Sequence, residues 1–111
     1  MTNLEKLQIF FRAENDRDWT SYADFLHPDV SWELHGIETL VISGKESYLE
    51  HIKSAYDKDD NHFTCLSFEM DHLQNRILTF FENVLGLGQR SCDIFDFENG
   101  LISKEYEFLL N

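Results

Sequence analysis

The spacing of apolar residues changes twice along the chain. Leu4, Leu7, Phe10 and Phe11 recur at helical spacing behind Thr2 and Glu5, a capping-box pair, so residues 3–15 are expected to form an amphipathic helix. The polar run "ENDRD" ends it. Asp18 can cap a second short helix with Trp19, Tyr22, Ala23 and Leu26 on one side. His27-Pro28 should close that helix, because the residue before proline is pushed out of the α region. The period then falls to two. Val30, Trp32 and Leu34 alternate with Ser31, Glu33 and His35, which reads as a half-buried strand closed by Gly36. A short extended piece, "ETLVI", follows at 38–42. Ser43 with Glu46 gives a second capping box, and a third helix should run to about Lys58 with Tyr48, Leu49, Ile52, Ala55 and Tyr56 on its apolar face.

After the polar turn "DKDDNH" the pattern is β to the end. "HFTCLSFEMDHL" reads as a long strand with Leu66, Phe68 and Met70 on one face. "RILTFFENVLG", "RSCDIFDF" and "LISKEYEFLL" follow, separated by "QN", "GLGQ" and "ENG". Long strands joined by short turns imply an antiparallel meander. Helices first and meander last imply an α+β fold with the helices packed on one face of the sheet. No repeat or linker divides the chain, so residues 1–111 are expected to form one domain.

Composition narrows the partners. With 42% hydrophobic residues and ten Phe, the chain has material for one core. The formal net charge of -12 disfavours nucleic acid and anionic membranes. The N-terminus lacks the apolar core of a signal peptide, no run approaches a membrane span, and Cys65 and Cys92 form no CxxC. A cytoplasmic protein with free, buried thiols is the expectation.

Most motif readings fail on their own requirements. "DKDDNH" starts like a calcium loop but has His62 and Phe68 where the loop needs Gly and an acid. "ISGKES" lacks the first Gly of a phosphate loop. His27, His35, His51, His62 and His72 show no short metal spacing, so no metal or cofactor is expected. "SCDIFDFENG" is different. Its alternation puts Asp96 with Cys92 and Ile94, and Asp93 on the other face with Phe95 and Phe97. A carboxylate among phenylalanines needs water, a partner or a proton.

The order and spacing of "DWTSYADFLHPDVSWELHG", "SGKESYLEHI" and "CDIFDFENGLISKEYEF" resemble the nuclear transport factor 2-like superfamily, in its SnoaL-like, ketosteroid-isomerase-like branch. The resemblance spans nearly the whole chain. It implies a cone-shaped, cystatin-like architecture: a curved antiparallel sheet wrapped on the N-terminal helices around a mostly apolar pocket. Members include isomerases, polyketide cyclases, epoxide hydrolases and non-catalytic binding domains, so fold alone does not give function. Carried over residue by residue, the isomerase's general base falls on Leu34 and its oxyanion tyrosine on Phe10. Its protonated oxyanion acid falls on Asp93, a role that needs a carboxyl kept neutral by its site. With two of the three positions apolar, classical ketosteroid isomerisation is not expected.

Two readings follow. In the first, Asp93 is the acid or base of an enzyme acting on an apolar small molecule, an isomerase, cyclase or hydrolase, in a pocket formed by Phe10, Tyr22, Trp32, Leu34, Tyr56, His72 and Phe95. Burial would raise its pKa above about 3.9, and His35 or His72 would be its partner. In the second, the pocket binds without catalysis. In both, the outer sheet face, with Cys92, Ile94, Tyr106 and Phe108 still apolar, is expected to form a homodimer.

Overall fold

A computed structural model of the chain describes residues 1–57, 60–83 and 88–110. Helix α1 (Asn3–Asp16) starts with the expected capping box: Glu5 N–H donates to the Thr2 hydroxyl, and Thr2 N–H donates to the Glu5 carboxylate. It stops at Arg17, whose φ of 58° is left-handed, and Asp18 N–H closes onto the Ala13 carbonyl. Asp18 then caps α2 (Trp19–Ala23) through Ser21.

Helix α2 ends sooner than the proline implied. Strand β1 (Leu26–His35) begins before His27-Pro28, because the sheet has already captured the backbone: Ile102 N–H donates to the Phe25 carbonyl, and Leu26 pairs with Ile102. Pro28 falls in the register shift between Leu26 and Ser31, where a missing N–H disrupts no regular ladder. Strand β2 (Thr39–Ser43) pairs with β1, and Ser43 lies opposite Ser31. That pairing keeps Ser43 in the strand, so the expected Ser43–Glu46 box does not form. Gly44, at φ 93°, is the N-cap of α3 (Lys45–Tyr56) without a side-chain cap bond. Lys58 and Asp59 of "DKDDNH" and the first half of "GLGQ" lie outside the described residues, as does the end of the "RILTFFENVLG" strand.

The remaining strands are β3 (Phe63–Met70), β4 (Arg76–Asn83), β5 (Arg90–Glu98) and β6 (Leu101–Leu109). They form one open six-stranded sheet in the order β2-β1-β6-β5-β4-β3. The fold is α+β as expected. Every pairing is antiparallel except β1 with β6, which is parallel. The face expected for β3 is broken by a bulge. Cys65 pairs with Phe81 and Ser67 with Phe80, so Leu66 is the unpaired extra residue, 51% exposed, and the alternation is interrupted there.

Helices cover one face of the sheet. Leu7, Phe10 and Ala13 of α1, Tyr22 of α2 and Tyr48 and Ile52 of α3 are buried with Val30, Ile77, Phe95 and Ile102 of the strands. Phe10 stacks on Tyr22 at 3.9 Å. Helix α1 is tied down at both ends. Leu4 N–H donates to the Gln74 side chain, and the Asn15 amide exchanges two hydrogen bonds with the Phe63 backbone.

The two-residue turn Asn99-Gly100 joins β5 to β6 with φ values of 53° and 77°, the left-handed pair that matches strand twist. Gly100→Ala should lower stability by about 1–2 kcal/mol, because the left-handed backbone strains any Cβ; the Lys6 ammonium it would meet is movable. Asn99→Gly should be near neutral. Urea unfolding of both variants checks this, and equal stability of Gly100→Ala and wild type would refute it.

Candidate active site

Strand parity builds the site. Across β4, β5 and β6, Thr79 lies opposite Asp93, and Asp93 opposite Glu107; Phe95 lies opposite Glu105. The parallel β1 then places Trp32 beside Glu105 and Leu34 beside Glu107. All of these side chains share the helix-facing side of the sheet. Between that side and the helices is a cavity of about 240 Å³. The sheet contributes Trp32, Leu34, Phe63, Phe81, Ser91, Asp93, Phe95, Glu105 and Glu107. The helices contribute Phe11, Glu14 and Asn15 from α1, Tyr22 from α2, and His51, Ile52, Ala55 and Tyr56 from α3. Asn61 lines it from the connection before β3.

Four acids therefore face a cavity whose apolar wall is largely aromatic. Asp93, Glu105 and Glu107 each place a carboxylate oxygen within 4.8 Å of the others, close enough to hold a cation or to raise one another's proton affinity. Burial raises the Asp93 carboxyl well above its ordinary range, and the neighbouring Glu107 charge adds to this; Ser91 and Glu105 hydrogen bonds oppose it. Glu105 is likewise pushed well up by burial and then by Asp93, against the Tyr48 hydrogen bond. Glu107 is raised to about 7 by burial and by Glu14. The Trp32 indole N–H counters this from outside normal hydrogen-bond geometry. Glu14 is raised by burial, with Tyr56, Tyr22 and Arg17 pulling the other way.

Two hydroxyl donors serve these acids. Tyr48 donates to Glu105 and Tyr56 to Glu14. With the Tyr48 proton engaged, the Tyr22 hydroxyl 3.3 Å away donates to the Tyr48 oxygen, making a Tyr22–Tyr48–Glu105 chain. Burial holds both tyrosines far above their usual pKa, so they remain donors. Asp93 Oδ1 has no hydrogen-bond partner, although Asp93 is only 8% exposed.

Six of the residues expected from sequence line this cavity: Asp93, Tyr22, Trp32, Leu34, Tyr56 and Phe95. Phe10 does not; it is packed behind Tyr22, 1% exposed. His72 lies in the exposed turn between β3 and β4 and does not reach the cavity. His35 is on the opposite sheet face, stacked on Phe108 and 3.3 Å from Glu33, so neither histidine partners Asp93. Asp96 does lie on that outer face, held bidentately by Arg76 at 2.7 and 2.9 Å. Both cysteines are free and half-buried. The reading missed Glu14, Glu105, Glu107 and His51. The signal for Glu105 and Glu107 was available, since placing Tyr106 and Phe108 outward obliges their neighbours to point inward. Glu14 carried one too, since it follows Leu7, Phe10 and Phe11 at seven, four and three residues, inside the apolar stripe; His51 carried none, because it lies beside the stripe of α3.

Comparison with known proteins follows this geometry. The model of the SnoaL-like domain family matches residues 7–105. The chain belongs to the SnoaL-like family. A search of the curated proteins finds no match. Among solved structures, Bal32a from a soil-derived mobile gene cassette superposes with a TM-score of 0.86 at 17% identity, over 98% of this chain and 89% of that one. A candidate ketosteroid isomerase of Kribbella flavida gives 0.81 at 22% identity, over 98% and 78%. A candidate polyketide cyclase of Pseudomonas putida gives 0.81 at 16% identity, over 100% and 92%. At these identities the likeness concerns the fold, the cystatin-like architecture of this SnoaL-like chain.

The raised carboxyls set a direction for stability against pH. For Glu107, both folded and unfolded states are protonated well below pH 4.5. Between 4.5 and about 7 the unfolded state releases its proton first, so stability falls as pH rises. The loss from this group alone should reach roughly 2–3 kcal/mol. Urea unfolding at pH 5 and pH 8 should show wild type weaker at pH 8 and Glu107→Gln with a smaller difference. An unchanged difference would overturn the assignment.

Proposed function

We propose that this SnoaL-like chain is a small-molecule pocket protein in which Asp93, with Glu105 and Glu107, transfers protons on a bound, largely apolar substrate. The observation that carries this reading is the trio of carboxyls within 4.8 Å of one another on the wall of an aromatic cavity. Like charges that close do not all ionise together, so the trio holds a proton while one member is ionised near neutral pH. The ionised carboxylate is the base for an acidic C–H of the substrate. The protonated neighbour donates to the oxygen on which charge develops. Tyr22 and Tyr48 are positioning residues that fix Glu105, and the aromatic walls keep water from the reacting atoms.

The test is hydrogen–deuterium exchange into a panel of enolisable cyclic ketones and β-ketoesters in heavy water, read by NMR. Catalysed exchange that falls at least a hundredfold in Asp93→Asn, with the variant still folded, supports the reading. Exchange unaffected by Asp93→Asn and Glu105→Gln would overturn it. One observation favours non-catalytic binding: Leu34, apolar, stands at the position to which the family resemblance assigns the base. Ligand binding to the cavity without any exchange would establish that second reading.

We further propose that the outer sheet face pairs two copies. Phe80 is 37% exposed there, beside half-buried Leu78, Cys92, Ile94, Tyr106 and Phe108. Sedimentation at micromolar concentration should give a dimer, and Ile94→Asp a monomer. A wild-type monomer would refute it.

A further inference from the structure

The cavity carries a charge imbalance that proton transfer does not require. Glu14, Asp93, Glu105 and Glu107 face it from three elements, and among the described residues no Lys or Arg lines it. The Tyr48 and Tyr56 hydroxyls are committed to Glu105 and Glu14. Arg17 acts on Glu14 from behind the wall, over the Tyr56 ring at 4.0 Å and donating to the Asn61 carbonyl. Two buried side-chain polar atoms among the described residues have no partner, the Trp32 indole N–H and Asp93 Oδ1, the latter an acceptor on a residue more than nine-tenths buried. A buried acceptor in this state is unfavourable until something donates to it.

The remaining walls are rings. Phe11 meets Phe81 edge-on at 4.6 Å and Phe95 at 5.4 Å, and Trp32, Tyr22 and Tyr56 complete the enclosure. Aromatic faces attract cations, most strongly where water is excluded. Acids and rings together select for positive charge on an apolar body. A bare divalent ion suits this site less well, since hard cations want six or more oxygen ligands and would leave the aromatic volume unused.

Resting on the pocket reading above, we infer that the ligand of this cavity is an organic cation, an amine or quaternary ammonium whose charged nitrogen sits among Asp93, Glu105 and Glu107 and whose apolar body lies against the rings. A protonated amine also supplies the donor that Asp93 Oδ1 lacks. The overall net charge of -12 draws such a ligand toward the protein.

The test compares benzyltrimethylammonium with neopentylbenzene, its uncharged isostere, by NMR chemical-shift titration at pH 8 in matched cosolvent. The ammonium should bind at least tenfold more tightly, with shifts at cavity residues, and Asp93→Asn should remove most of that preference. Glu107→Gln, at a less buried position, is the second variant should Asp93→Asn fail to fold. Equal or tighter binding of neopentylbenzene would overturn the cationic assignment while leaving the pocket reading intact. Binding of neither probe would overturn both. Manganese(II) alone binding one-to-one at micromolar concentration and excluding the ammonium would assign the carboxylates to a metal and overturn the proposal.

Discussion

The parallel pairing of β1 with β6 is the constraint on which the site depends. It joins the strand that follows the N-terminal helices to the last strand of the chain. Its register sets Trp32 and Leu34 beside Glu105 and Glu107, and β5 then sets Phe95 and Asp93 against the same two glutamates. Without that contact, two strands far apart in sequence would hold half a pocket each. Parallel pairing needs a long crossover, which here is the stretch from His35 to Leu101, more than half of the chain. The β5–β6 hairpin brings Asp93, Glu105 and Glu107 together, and the parallel pairing closes Trp32 and Leu34 against the two glutamates.

The carboxyl cluster enclosed by these strands and α1 is unfavourable taken alone. Buried carboxyls repel one another and lose their hydration. The fold offsets part of this with the Tyr22–Tyr48–Glu105 chain and the Tyr56–Glu14 bond, while the helices and inner strands bury their aromatic residues around the cluster. The result is a set of groups whose proton affinities are raised by their neighbours, a common feature of functional sites. Stability spent on such an arrangement is consistent with a role for it.

Much of this was legible along the chain. The helix of residues 3–15, the alternation of Val30, Trp32 and Leu34, and the separation of Asp93 from Asp96 all follow from local period, and the fold preserves each. Asp96 turned out to be satisfied by Arg76 from the neighbouring strand, and Asp93 to be one of a group. Local rules failed where the sheet competed with them. Ser43 was held by Ser31 instead of capping α3, Pro28 was absorbed into a strand irregularity, and Leu66 was displaced by a bulge. In each case ladder hydrogen bonds outweighed a local preference worth about 1 kcal/mol.

Period and turn chemistry in the sequence determined the element types, their order and the face on which each side chain lies, because those depend on residues a few positions apart. The tertiary structure decided which faces meet. It made the companions of Asp93 two glutamates of β6 and one of α1 in place of a histidine, since hairpin register sets the first two and contacts between segments as much as 94 residues apart set the approach of α1. Parity alone said that Glu105 and Glu107 point inward; the β5–β6 register, with its shift between Asp96 and Phe97, made them neighbours of Asp93.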